Sequence, residues 1–111
     1  MSDNDRRVIL DEMSVLYVED EAAVRLSVGE SLTGLCRNLY MASNGKEGLD
    51  IYLAYRPDIV ITDIRMPKMN GLTMVREIKK ENPKVQVIIT TAFSDKDMLI
   101  ESIEVGVSQY V

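Results

Sequence analysis

The sequence predicts a doubly wound α/β fold, in which helices cover both faces of a parallel β-sheet. Short runs rich in apolar and β-branched residues alternate with longer segments in which apolar residues recur at helical spacing. Most of the short runs are apolar on both faces, as strands are when helices cover a sheet from both sides. Such alternation gives parallel strands joined by right-handed crossovers, and 111 residues suit one domain.

Five strands are predicted, at the apolar runs 15–18, 38–41, 59–62, 85–90 and 109–111. Four helices are predicted from apolar residues at helical spacing, namely Val24, Val28, Leu32 and Leu35; Leu49 and Leu53, with Tyr52 beside them and expected to be core or half-buried; Leu72, Val75 and Ile78; and Leu99 and Ile103. The residues expected to cap or end these helices are Asn44, Asp95, Gly34, Pro57, Pro83 and Gly106. Residues 1–13 lack periodicity and are expected to form an N-terminal extension to a domain spanning 14–111.

The composition excludes several classes of function. Thirteen basic and eighteen acidic residues give a net charge of −5, which disfavours direct nucleic-acid binding. The chain has no histidine, so Ser-His-Asp or Cys-His catalysis and histidine-ligated zinc are excluded. A single cysteine, Cys36, allows no internal disulfide and suggests a reducing compartment. Because no apolar run is long enough to span a bilayer, a cytoplasmic protein without membrane contact is expected.

Acidic side chains follow two of the predicted strands. Glu19 and Asp20 come after the first strand, and Asp63 follows the third. Ligands of open α/β sheets bind outside the carboxyl ends of the strands. If the first and third strands are neighbours, these carboxylates converge and repel one another unless a cation lies among them. Oxygen ligands without histidine or cysteine favour Mg²⁺, with Mn²⁺ as the alternative.

Simpler structural explanations exist for the same residues. Glu21 is expected to favour the start of the first helix through capping and the helix dipole. Asp63 could be a helix cap or a turn residue, but the loop 66–71, with its own Pro and Asn-Gly turn signals, suits a functional position better. Thr91, after the fourth strand, could be an ordinary strand residue, although its place at the carboxyl edge suggests a role in the site.

Five motifs occur in order along this alternating pattern. They are Val15 to Asp20 with Glu21, Asn44-Gly45-Lys46-Glu47-Gly48-Leu49, Ile61-Thr62-Asp63-Ile64-Arg65-Met66-Pro67 with Gly71, Ile88-Ile89-Thr90-Thr91-Ala92, and Gly106-Val107-Ser108-Gln109-Tyr110-Val111. Together they strongly resemble the receiver domain of two-component response regulators, over roughly residues 14–111. The resemblance implies a five-stranded sheet of order 2-1-3-4-5.

The resemblance also implies a phosphoryl-transfer site. Asp63 matches the aspartate that accepts a phosphoryl group from a histidine kinase or a histidine phosphotransfer protein. Asp20 matches a direct Mg²⁺ ligand, and Glu19 matches an acidic residue that acts largely through water. The backbone carbonyl of Arg65 matches the third protein ligand of the ion. The donor histidine would belong to the partner, which is consistent with its absence here.

A switch and its output are implied in the same way. Thr91 matches the hydroxyl residue that hydrogen-bonds the phosphoryl group, and Tyr110 matches the aromatic switch residue of the fifth strand. Phosphorylation would then change the surface formed by the fourth helix and fifth strand, which controls an output domain or a downstream protein, with a homodimer possible. The family's lysine falls beyond Val111, and Lys96 cannot replace it. The chain is therefore expected to be a receiver domain truncated before its fifth helix, with no catalytic lysine of its own.

Three alternative functions stay open on the sequence. The first is a pseudo-receiver that binds proteins without being phosphorylated. The second is a Mg²⁺-dependent aspartyl phosphohydrolase, which is disfavoured because such enzymes carry Asp-x-Asp, whereas Arg65 and Ala22 stand two residues after Asp63 and Asp20. The third is a nucleotide or flavin module, which is disfavoured because the acids after the first strand would repel a phosphate.

Overall fold

A computed structural model describes residues 12–90 and 109–110 of the chain. Within them the strands are Ser14–Val18 (β1), Asn38–Ala42 (β2), Ile59–Thr62 (β3), Gln86–Ile89 (β4) and Gln109–Tyr110 (β5). The helices of the described residues are Ala22–Thr33 (α1), Gly45–Tyr55 (α2) and Gly71–Glu81 (α3). The strands match the five predicted apolar runs to within one residue at either end.

All the strands pair in parallel, in the order β2-β1-β3-β4-β5. This confirms both the doubly wound α/β class and the predicted strand order. The central strands β1 and β3 lie side by side, with Val18 opposite Thr62 at their carboxyl ends. The residues that follow these two strands therefore emerge at the same edge of the sheet.

One face of the sheet packs against α2 and α3. Leu16 and Val18 of β1 point to this face and are fully buried in the core. From α3, Leu72, Val75 and Ile78 enter the same core at exposures of 1% or less, as their spacing predicts. Burying side chains of this size from water supplies most of the driving force for packing α3 on the sheet.

The opposite face of the sheet packs against α1. The pairing of Val15 with Leu39 and of Tyr17 with Met41 places these four side chains on that face. Gly29 of α1 is buried there, and a Cβ atom on it would lie 2.7 Å from Met41 Sδ. Met41 would have to shift to admit a side chain at this position, so α1 approaches β2 closely at Gly29.

The predicted apolar stripe of α1 needs correction. The helix ends at Thr33, so Leu35 lies outside it. Val24 and Val28, which belong to the stripe, are 38% and 37% exposed. The buried residue of this helix is Gly29, which an analysis of large apolar side chains does not select.

In α2 the predicted start is confirmed, and the predicted apolar stripe is buried only in part. Asn44 Oδ1 accepts a hydrogen bond of 2.8 Å from the Glu47 N–H, which is the geometry of an N-cap. The helix ends at Tyr55, two residues before Pro57. Tyr52, expected beside the stripe as a core or half-buried residue, is 1% exposed, whereas Leu53 is 42% exposed, so the aromatic ring anchors this turn in the core and the leucine does not.

Several predictions fall on parts of the chain that lie outside the described residues. These are residues 1–11 of the expected extension and the whole of the fourth predicted helix, with Asp95, Leu99, Ile103 and Gly106. Among the helices that are described, none combines the length and the apolar character that crossing a membrane requires.

Candidate functional site

The sheet continues for one residue beyond the carboxyl ends of β1 and β3. The Glu19 N–H donates to the Ala42 carbonyl at 3.0 Å, and the Asp63 N–H donates to the Val18 carbonyl at 3.2 Å. These bonds extend the parallel ladder and place Glu19 and Asp63 at the same level of neighbouring strands. The acids that the sequence places after different strands therefore start from adjacent backbone positions.

Three carboxylates meet at this edge. One oxygen each from Glu19, Asp20 and Asp63 can be chosen so that all three lie within 4.8 Å of one another. Glu19 is buried at 8% exposure, Asp63 is half-buried, and Asp20 is exposed. Asp20 therefore forms the solvent-exposed side of the group, and Glu19 and Asp63 form the side nearer the protein interior. Three carboxylate oxygens at this separation suit a hard divalent cation, which prefers oxygen ligands.

Burial and mutual repulsion perturb the ionisation of this group. The pKa of Asp63 is raised, first by burial and further by the charges of Asp20 and Glu21, while the backbone N–H groups of Ile64 and Arg65 act in the opposite direction. The pKa of Glu19 is raised too, again mainly by burial, with contributions from Asp20 and Asp63. A bound cation would relieve this repulsion and favour the ionised carboxylates.

Tyr17 lies beneath the carboxylates on the α1 face of β1. Burial raises its pKa to about 12, and the negative charges of Glu19 and Asp63 contribute to the shift. The side chain is 3% exposed. Its phenol therefore stays protonated at neutral pH, so it adds no further negative charge to the acidic group.

The loop between β1 and α1 is held by two side chains. Glu21 occupies the N-cap position of α1, as expected, but its side chain makes no capping hydrogen bond. Instead, Glu19 Oε2 accepts a bond of 3.1 Å from the Glu21 N–H. From the first turn of α1, Arg25 Nη1 donates to the Glu19 carbonyl at 2.7 Å. The sequence analysis did not select Arg25.

The loop between β3 and α3 is held by hydrogen bonds that backbone N–H groups donate. The Ile64 N–H donates to Asp63 Oδ1 at 2.7 Å, which fixes the orientation of that carboxylate. The Gly71 N–H donates to the Ile64 carbonyl at 2.8 Å and closes the loop, and the Gly45 N–H donates to the Met69 carbonyl at 3.0 Å. The loop is therefore tied both to its own helix and to the start of α2.

An open cleft of about 470 Å³ adjoins the acidic group. The residues that line it are Asp20, Ile64, Arg65, Met66, Pro67 and Asn70. Arg65 and Asp20 thus line the same cleft, and the role of the Arg65 carbonyl stays a prediction. Of the three acids, the cleft is lined by Asp20, so a ligand that enters it from solvent reaches the group on the Asp20 side.

For two predicted site residues, Thr91 and Tyr110, the position of the side chain cannot be compared with the prediction. Thr91 lies outside the described residues. For Tyr110 the structure describes the backbone, which pairs with Ile89 in β5. Thr90, the residue before Thr91, lies at the same edge as the acids, because its N–H donates to the Thr62 carbonyl at 2.9 Å. The roles of Thr91 and Tyr110 stay predictions.

The raised pKa values predict how stability depends on pH when no divalent ion is bound. Between about pH 4, where carboxyls of the unfolded chain titrate, and the raised pKa values of Asp63 and Glu19, the folded protein binds more protons than the unfolded chain. Stability contributed by these groups should therefore fall as the pH rises through that window. Asp63→Asn removes one charge from the group, so we expect a higher melting temperature at neutral pH and a shallower fall.

Thermal melts in a chelator at several pH values measure this effect. Two unit charges 4.8 Å apart repel by about 0.9 kcal/mol even in bulk water, so a gain of about that size or more is expected for Asp63→Asn. Asp50→Asn alters an exposed acid of α2 and breaks its surface ion pair with Lys46. It is the control for loss of one acidic charge elsewhere, and it should not raise the melting temperature. Equal slopes for the parent and Asp63→Asn would contradict the prediction.

Comparison with known proteins identifies the family. Residues 15–111 match the family described as response regulator receiver domain. The chain is 35% identical over 98 residues to the chemotaxis protein CheY of Thermotoga maritima, covering 87% of this chain and 82% of that protein. It is also 35% identical over 94 residues to the DNA-binding transcriptional regulator NtrC of Klebsiella pneumoniae, covering 85% of this chain but 20% of NtrC.

Solved structures agree with these matches. The N-terminal domain of a Wolinella succinogenes protein, WS1339, superposes with a TM-score of 0.84 at 36% identity, covering 88% of this chain and 79% of that one. Its similarity therefore extends over nearly the whole described sheet and its helices. The motifs, the strand order and the family match agree, and the chain belongs to the response regulator receiver domains of two-component signalling.

Proposed function

We propose that the chain is a phosphoacceptor switch, which takes a phosphoryl group from a phosphohistidine donor onto Asp63 with the help of Mg²⁺. The observation that carries the proposal is the convergence of Glu19, Asp20 and Asp63 within 4.8 Å at the carboxyl edge of the sheet. Mn²⁺ would fit the same oxygen ligands. The chain is a signalling domain in this proposal, and the only chemistry it performs is on its own aspartate.

The local structure suits Asp63 for the role of acceptor. Its carboxylate is held by the Ile64 N–H. It is half-buried and meets the carboxylate of Asp20, which lines the open cleft, whereas Glu19 is buried. In the transfer, an Asp63 oxygen bonds to phosphorus as the bond from phosphorus to the donor imidazole nitrogen breaks. The donor ring carries a proton on its other nitrogen and therefore leaves as neutral imidazole. A bound Mg²⁺ would neutralise charge on the transferring oxygens.

The ligands for the ion are proposed on the same basis. The Asp20 and Asp63 carboxylates and the backbone carbonyl of Arg65 would bind it directly, and Glu19 would act through water. The burial of Glu19 and the presence of both Asp20 and Arg65 in the lining of one cleft support this assignment. Positioning and charge neutralisation are the main protein contributions to phosphoryl transfer.

Signalling would follow from the charge that phosphorylation adds. An acyl phosphate brings about −1.5 to −2 charges to the edge of the sheet. We infer that the Thr91 hydroxyl then turns to the phosphoryl group and that Tyr110 moves into the space it leaves. This would shift the population of two states of the surface at the fourth predicted helix and β5.

The proposed partners are of two kinds. A histidine kinase or a histidine phosphotransfer protein would supply the phosphoryl group, and an output domain or a separate protein would read the switch, with a homodimer as a further possibility. CheY is matched over 82% of its length and NtrC over 20%, so the family pattern accommodates both kinds of output. The single cysteine is consistent with a cytoplasmic protein, and the acidic charge disfavours direct nucleic-acid contact.

The proposal is tested by phosphorylating the protein with a small-molecule donor. After incubation with Mg²⁺ and phosphoramidate or acetyl phosphate, intact mass spectrometry should show the gain of one phosphoryl group. Asp63→Asn should show none, and Asp50→Asn should label like the parent. Labelling of Asp63→Asn at the level of the parent would refute the assignment, and no labelling of the parent would favour the pseudo-receiver alternative.

A further inference from the structure

Arg25 stands where a positive side chain opposes the helix dipole. Its N–H donates to the Glu21 carbonyl at 2.9 Å, so it belongs to the first turn of α1. A cation at this end of a helix costs about 0.3–1 kcal/mol. Residues that break such a local rule are often retained for function, and the contacts of the Arg25 side chain indicate which function.

The guanidinium group points back to the loop that carries Asp20. Arg25 Nη1 donates to the Glu19 carbonyl at 2.7 Å and lies 3.5 Å from the Asp20 carbonyl. The shorter distance is typical of a charge-assisted hydrogen bond, which is about twice as strong as a neutral one. One nitrogen therefore contacts the peptide groups on both sides of the Asp20 Cα atom.

Asp20 needs this support because it belongs to neither β1 nor α1. The ladder hydrogen bond from the Glu19 N–H to the Ala42 carbonyl is the last that fixes this segment to the sheet before the loop. The two peptide groups flanking Asp20 set the direction of its Cα–Cβ bond, and hence the position of its carboxylate. Arg25 bonds carbonyl oxygens in both contacts, which leaves the carboxylate oxygens available to a cation.

We propose that Arg25 is a positioning residue of the divalent-cation site, whose guanidinium holds the backbone around Asp20 so that this carboxylate meets those of Glu19 and Asp63. The inference deepens the proposed function and rests on its Mg²⁺ site. It assigns to Arg25 a role in the affinity for the ion and no contact with the ion itself.

The direction in which the Mg²⁺ affinity changes when Arg25 is removed distinguishes a positioning role from a direct effect of its charge. If Arg25 acted on the ion only through its charge, it would repel Mg²⁺, and its removal would strengthen binding. If it positions Asp20, its removal weakens binding even though the site becomes more negative. Residues that orient metal ligands change metal affinity by about 10- to 100-fold when removed.

The test is a Mg²⁺ titration of the isotopically labelled protein, followed by the backbone amide resonances around Asp20 and Asp63. Arg25→Ala should bind Mg²⁺ about tenfold more weakly than the parent. Arg25→Lys keeps the charge and one donor group, so its affinity should lie between the two. Arg37→Ala removes the same charge from an exposed position and should leave the affinity unchanged. Thermal melts establish that each variant is folded.

The outcomes distinguish this inference from the proposed function. If the parent binds Mg²⁺ and Arg25→Ala binds it equally or more tightly, the positioning role is overturned while the metal site stands. If Arg25→Ala does not fold, Arg25→Lys decides, because an affinity equal to that of the parent overturns the role and a weaker one supports it. If the parent does not bind Mg²⁺, the metal site is overturned and this inference with it.

Discussion

Gly71→Ala should destabilise the protein by about 3 kcal/mol and weaken Mg²⁺ binding at the same time. A Cβ atom on Gly71 would overlap the Asp63 carbonyl oxygen and lie 3.0 Å from its carbonyl carbon and 3.2 Å from Ile64 Cα. All three are backbone atoms, so no side chain can rotate to make room. Overpacking of this kind costs about 1–3 kcal/mol and occasionally more, and here it displaces the backbone that carries the proposed acceptor.

Chemical denaturation measures the change in the free energy of unfolding, and a Mg²⁺ titration measures the second effect. The matched control is Gly34→Ala at the end of α1. A Cβ atom on Gly34 meets no atom within 4 Å, and its φ of −80° suits alanine, so the change should be within about 1 kcal/mol and can be stabilising. If the two variants lost equal stability, the crowding at Gly71 would not be the cause.

The location of the site could be predicted from the sequence because strands of a parallel sheet share one carboxyl edge. Apolar runs identified β1 and β3, and an acid after each strand placed Asp20 and Asp63 at that edge, where they converge if the two strands are neighbours. The strand runs were predictable because they are short and apolar on both faces, and helices cover both faces of the sheet. The order of the strands was not derivable from these runs and came from the family resemblance.

The supporting contacts of the site could not be predicted, because they are made by backbone groups and by small residues. Gly71 was identified as a turn residue, but its close approach to Asp63 depends on how α3 meets β3. Gly29 lacks a side chain, so a search for apolar stripes overlooked the point where α1 meets the sheet. Arg25 did leave a signal, a cation in the first turn of a helix, which can now be sought deliberately in similar sequences.

Asp20→Ala should weaken Mg²⁺ binding by at least about tenfold and leave the fold intact. The loss follows because the variant removes one of the three carboxylates that meet within 4.8 Å, and removing even a residue that only orients a metal ligand costs about 10- to 100-fold in affinity. Stability should not fall, because Asp20 is exposed and its charge raises the pKa of Asp63 by repulsion. The measurement is the same titration, with thermal melts in a chelator for stability.

Glu21→Ala is the matched control for Asp20→Ala, because it removes an equal charge from the next position along the chain. Glu21 is exposed, its side chain makes no capping hydrogen bond, and it does not belong to the group of acids that meet. Its charge also acts on Asp63, so a general electrostatic attraction for Mg²⁺ would make the two variants weaken binding alike. A ligand role requires Asp20→Ala to have much the larger effect, since a carboxylate in contact with the ion contributes far more than one separated from it by solvent. An unchanged titration for Asp20→Ala would remove Asp20 from the ligand set.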